Sequence, residues 1–273
     1  MKRIFEYIAL ISLLIFSFFL TDKTSTVIKN MDEIMIMIKD NKKRYETKEI
    51  NAVINDKYIT PGISKRKVNI NKSYNNMKEY SKYNSNLYIY DYIKPSISII
   101  DNKNYIINSG NKIKRMVSIN FILDDITYLD DIINILDNNK VSSTFFIDED
   151  FLSNNLDLIY NLINKGYIIG IRDNRSNYKW MDTIITKVGK QNNIYCMYNN
   201  DKTVDKCESI KGYTIKGDII SNNYFHNIKN SLSSGSIYSL NITDELVSSL
   251  DVILKFILKK GYKIENIDKH VEE

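Results

Sequence analysis

Apolar residues are spaced along this chain in three different ways. From Tyr7 to Leu20 they run almost unbroken for 14 residues rich in Ile, Leu and Phe, with Lys2 and Arg3 ahead of them. As a helix this run is about 21 Å long, closer to the apolar stretch of an export signal than to a full membrane span of roughly 20 residues. Phe18-Phe19-Leu20-Thr21-Asp22 lacks the small residues that signal cleavage requires. The expectation is therefore an uncleaved signal anchor over residues 1–26, with secretion after cleavage as the alternative and a buried helix of a cytosolic protein as the bland one. Lys2 and Arg3 would hold the start inside and send the rest of the chain outside the membrane.

In residues 27–115 the spacing becomes helical and then irregular. Val27, Met31, Ile34, Met35 and Ile38 recur at three and four residues, which predicts a stalk-like helix over 27–48. Thr60-Pro61-Gly62 reads as a turn, Lys67–Ile70 as a strand, and residue 73 lies near a helix start. A hairpin is expected from Ile97–Ile100 and Tyr105–Ile107, which makes the whole segment a small α+β piece.

From residue 116 strands and helices alternate. Met116–Leu123, Ser143–Ile147 and Tyr167–Ile171 read as strands; Tyr128–Leu136, Leu156–Lys165, Trp180–Val188 and Leu246–Lys259 read as helices, the last closed by Gly261. That order predicts parallel β/α units over 116–273, in a barrel or an open doubly wound sheet.

Composition removes several classes. With 43% hydrophobic residues and 38 Lys+Arg against 33 Asp+Glu, the chain is neither disordered nor strongly basic. Its Lys, Asn, Ile and Tyr excess is what an AT-rich genome would produce, so no nucleic-acid partner is expected. Only His226 and His270 are available as imidazole ligands or bases. Cys196 and Cys207 would lie outside the membrane, where a disulfide and two separate buried thiols are both compatible with the sequence.

Four short motifs in residues 116–270 resemble, in order, those of the polysaccharide deacetylase family, also called NodB-homology or carbohydrate esterase 4. Val117-Ser118-Ile119-Asn120-Phe121 stands where the family has a strand ending in T-F-D-D-G. Val141-Ser142-Ser143-Thr144-Phe145-Phe146-Ile147 is similar to V-x-A-T-F-F, and Lys165-Gly166-Tyr167-Ile168-Ile169-Gly170 to the approach to G-H-E-I-G. Lys260-Gly261-Tyr262-Lys263 matches the terminal K-G-Y-x-F. The resemblance implies an α/β fold, a distorted (β/α) barrel of NodB type, here preceded by a hydrophobic helix and a small α+β segment. The segment before the barrel also resembles that of membrane-anchored firmicute-type members.

The resemblance also implies a metal hydrolase that removes acetyl groups from N-acetylated sugars, using a divalent ion on one Asp and two His, an Asp base and a later His acid. Residue by residue, the required groups are missing. Aligning Phe121 puts Ile122 and Leu123 on the two acids, Arg172 and Ser176 on the two metal-binding His, and Asn241 on the catalytic His. Asp124 and Asp125 lie two residues further on, a shift that preserves the face of a strand. Facing Arg172 they would make an ion pair, since a guanidinium cannot ligate a cation.

No metal and no cofactor are therefore expected. The reading is an extracytoplasmic, membrane-anchored deacetylase-like protein of cell-wall or carbohydrate metabolism. It is expected to be inactive and to bind peptidoglycan or another cell-wall glycan, or to act as a scaffold. Arg172 and Asn241 are its candidate ligand-binding residues. One alternative is an active hydrolase of carbon-nitrogen bonds rebuilt on Asp124, Asp125 and Asp173; another is a membrane-tethered protein-interaction module.

Overall fold

A computed structural model describes residues 2–173 and 175–273. Its strands are β1 (Val53–Asn55), β2 (Tyr58–Thr60), β3 (Lys65–Val68), β4 (Tyr90–Ile93), β5 (Ile106–Ile107), β6 (Met116–Ile122), β7 (Thr144–Ile147), β8 (Ile168–Ile171), β9 (Tyr195–Met197), β10 (Tyr213–Ile215), β11 (Asp218–Ile220), β12 (Ile237–Asn241) and β13 (Lys263–Ile264). They belong to two compact units, one ending at Glu49 and resuming over Ser64–Ile93, the other made of Ile50–Ile63 and Lys94–Glu273. The segment 27–115 thus contributes to both.

In the smaller unit a helix covers Lys2–Met31, and its Leu10–Met31 part, 22 residues, is long and apolar enough to cross a membrane. The helix predicted over 27–48 is interrupted. Asp32 leaves the helical region (φ −65°, ψ 132°) and accepts the amide of Ile34 at 3.0 Å, capping a second helix over Glu33–Asn41. Lys78 fixes the same carboxylate at 2.6 Å. Ile34 and Ile38 then pack on Val68, Met77 and Tyr88, beside the antiparallel pair β3–β4.

The larger unit is a mixed sheet curled into a half-barrel. Among the described residues it has 11 strands, in the path β1-β2-β5-β10-β9-β8-β7-β6-β12-β11 with β13 beside β6. Every pairing in it is parallel except β1–β2. The hairpin expected from Ile97–Ile100 and Tyr105–Ile107 does not form: only Ile106 and Ile107 are strand, and they pair in parallel with β2 and β10. Their partners are distant in sequence, and local alternation carries no record of them.

Strand β6 is buried on both faces, its polar Ser118 and Asn120 included. Val117, Ile119 and Phe121 join one core with Ile132 and Leu136 of the helix Leu129–Asn139 and with Leu250 and Leu254 of the helix Asp244–Lys259. Ile122 lies in a second core with Phe146, Tyr195, Met197, Tyr213 and Ile237, into which the short helix Ile267–Val271 inserts Ile267 and Val271. Gly170 is needed there, because a Cβ would meet the Phe146 ring at 2.5 Å.

His270, on the same short helix, is completely buried, and neither ring nitrogen has a hydrogen-bond partner. A Cβ on Gly110 would stand 2.1 Å from its Nε2. Burial, with a smaller contribution from the Lys114 charge, pushes this imidazole down to about 4. Cys196 of β9 and Cys207 of the helix Asp201–Ser209 form a disulfide, which resolves the two compatible readings of the pair.

Candidate functional site

The side chains of interest sit where β6, β7 and β8 end, the end at which β/α barrels carry their sites. Asp124 and Asp125 follow β6, Asp148 follows β7, and Arg172 follows β8. Parallel pairing of the three strands, through Phe121↔Phe145 and Ile147↔Ile171, delivers these ends side by side.

Arg172 is the centre of the arrangement. One terminal nitrogen of its guanidinium contacts Asp124 Oδ1, and the other donates to Asp148 Oδ2 at 2.8 Å. The side chains of Arg172 and Asp148 are only about a quarter exposed, whereas that of Asp124 is 56% exposed. Asp148 is also a helix cap, since its Oδ1 accepts the amide of Phe151 at 2.8 Å at the start of the helix Glu149–Asn154. Two anions thus share one fixed cation, and the fork of the guanidinium sets their separation.

The sequence-predicted residues divide around this centre. Asp124 and Arg172 come together. Asp125 turns back to accept the amide of Thr127 at 2.8 Å, and its hydrogen bonds to Thr127 hold it below the usual carboxylate range. Asp173 is held by Arg175 at 2.6 Å, and that guanidinium lowers its carboxyl likewise. Asn241 ends β12 in register with Ile122 and donates to Ser221 Oγ at 2.6 Å, outside the Arg172 group. Ser176 is buried, its Oγ accepting the amide of Glu149 at 3.2 Å. Asp148 escaped the sequence reading. Its signal was present in an aspartate directly after the apolar strand Thr144–Ile147 and three residues before Phe151, the spacing of an N-cap.

A divalent metal does not fit these residues. The place between the two carboxylates is taken by a permanent cation that cannot be deprotonated. Among the described residues no group of three His, Cys, Asp or Glu side chains converges to hold an ion. Asp125 and Asp173 are both shifted down, away from the raised pKa that a general acid needs near neutrality. Beside the Arg172 group lies an open cavity of about 330 Å³ lined by Asp124, Asp125, Asp148, Asp150 and Phe151.

Comparison with known proteins shows the fold. No protein-family model matches the chain. An uncharacterized Bacillus subtilis protein, YlxY, is 31% identical over 150 residues, 54% of this chain; the match spans about half, 47%, of that relative's length. Among solved structures, a wild-type carbohydrate esterase 4 pseudoenzyme from Bacillus anthracis superposes with a TM-score of 0.65 at 21% identity, covering 89% of this chain and 96% of that one. A mutant of the same protein, described as having restored enzymatic activity, matches with the same TM-score of 0.65 and identity of 21%, covering 88% and 98%. A peptidoglycan N-acetylglucosamine deacetylase matches with a TM-score of 0.54 at 15% identity, covering 63% of this chain and 94% of that one. The fold is therefore that of the carbohydrate esterase 4, NodB-type deacetylases, as the four motifs implied, in a divergent form.

Proposed function

We propose that this chain is a membrane-anchored, extracytoplasmic deacetylase-like protein that holds a cell-wall glycan without cleaving it. The observation that carries the reading is Arg172, whose guanidinium bridges Asp124 and Asp148 where the fold's hydrolases are implied to keep a metal. Anchoring rests on the apolar helix Leu10–Met31. The pseudoenzyme among the structural neighbours supports the loss of activity, and the peptidoglycan deacetylase supports a cell-wall glycan as ligand. A hydrolase rebuilt on Asp124, Asp125 and Asp173 would need them to converge, whereas Arg172, Thr127 and Arg175 hold them to separate partners.

The test is a deacetylation assay on the full chain in detergent micelles, with chitin and peptidoglycan oligomers and added divalent metal, alongside elemental analysis of the purified protein. Absence of acetate release and of stoichiometric metal is expected. Robust metal-dependent acetate release would refute the reading.

A further inference from the structure

The acidic cavity covers one part of the strand-end rim; the neighbouring part has the opposite character. Asp56 and Lys57 turn the β1–β2 hairpin, with Asp56 in the left-handed region at φ 53°. The hairpin thereby sets Lys57 and Tyr58 against Tyr198, the residue after β9, and Lys216, the residue after β10. The Lys57 ammonium lies 3.1 Å from Tyr198 Oη and 5.4 Å from that ring's centre. Lys216 donates to Tyr58 Oη at 2.9 Å and lies 5.1 Å and 5.7 Å from the ring centres of Tyr58 and Tyr198. Asp201 offsets Lys57 at 3.4 Å. Among the described residues Lys216 has no carboxylate partner. Asn199 connects this corner to the Arg172 group by donating to the Arg172 carbonyl at 2.6 Å.

We infer that this corner binds a negatively charged sugar ring, one that carries a carboxylate or a phosphate; the inference rests on the glycan-binding reading above. Two half-buried tyrosines offer the amphipathic faces on which sugar rings pack, and their hydroxyls sit beside the ammonium groups that would meet the charge. Lys216 has spare N–H donors and an uncompensated charge, so an anion gains a partner there without breaking an existing ion pair. The four aspartates of the adjoining cavity repel the same anion, which fixes the orientation of a longer chain across the rim. Lys57 and Tyr58 come from outside the segment that carries the family motifs, so the corner is a feature of this chain's own N-terminal hairpin.

Calorimetric titration of the full chain in micelles tests this with three probes: tetragalacturonate for a carboxylate, glucose 6-phosphate for a phosphate, and neutral tetra-N-acetylchitotetraose. At least one anionic probe should bind about tenfold tighter than the neutral one and weaken at high salt. Lys216→Met and Tyr198→Ala should each remove most of that preference, with folding checked by near-ultraviolet circular dichroism. Lys229→Met, an exposed lysine on a remote helix, should leave it unchanged. Equal binding of charged and neutral probes, or anion binding indifferent to Lys216→Met and Tyr198→Ala, overturns the assignment while leaving the glycan-binding reading intact. Binding of none of the probes overturns both.

Discussion

Replacing His270 with leucine isolates the cost of a buried, unpartnered imidazole. In the native state burial holds the ring at about 4 against an ordinary value of 6.5. Between those values the unfolded chain binds a proton that the native chain refuses, so stability falls as pH falls through this window. The loss accumulates at about 1.4 kcal/mol per pH unit and reaches about 3 kcal/mol near pH 4. Above the ordinary value the imidazole is neutral in both states, and wild type and His270→Leu should lie within about 1–2 kcal/mol of each other. The two proteins differ at this one position, so the difference between their pH profiles belongs to the histidine. Urea unfolding of the full chain in detergent, followed through the fluorescence of Trp180, the single tryptophan, measures it. The variant should overtake wild type by about 3 kcal/mol between neutral pH and about pH 4. Parallel profiles, or a wild type that gains on the variant as pH falls, would refute the reasoning.

Three further outcomes are expected. Arg172→Met leaves Asp124 and Asp148 facing each other without a cation, and should lower stability by about 1–3 kcal/mol in thermal unfolding at neutral pH, whereas Asp124→Asn, at the more exposed end of the bridge, should cost under about 1 kcal/mol. Reduction of Cys196–Cys207, which closes a loop with a sequence separation of 11, should cost about 3 kcal/mol, read as a shift of the urea midpoint with dithiothreitol that a Cys196→Ser/Cys207→Ser variant no longer shows. Gly170→Ala drives a methyl into the Phe146 ring and should destabilise by about 1–3 kcal/mol, whereas Gly166→Ala, with nothing nearby but a φ of +90°, should lose about 1 kcal/mol through backbone strain alone.

The parts of the fold that sequence could reveal were those whose pattern is local. Strands β6, β7 and β8 are buried on both faces and read as mostly apolar runs, and the helices Leu129–Asn139 and Asp244–Lys259 keep a clean apolar stripe. Strands β9, β10 and β11 are three residues each, too short for a period to register, and β5 is two. What makes them strands is pairing with partners far along the chain. The site divides in the same way. Continuing the two-residue period past β6 puts Asp124 on the side of Arg172, but Asp124 and Asp125 both lie in the loop after Ile122, and that loop decides the turn of Asp125 onto Thr127. Asp148 was missed because its ion pair depends on β8 lying next to β7, which only the sheet order specifies.

The guanidinium between Asp124 and Asp148 has a consequence for how the strand ends are held together. A metal centre is completed from solution, and its occupancy varies with supply, competitors and chelators. Here the counter-charge is covalently part of the chain and is in place as soon as β7 and β8 pair. The strand-end architecture should therefore be indifferent to the metal content of its surroundings, and EDTA should leave its unfolding temperature unchanged. Such a rim keeps a constant shape and charge however scarce divalent ions become.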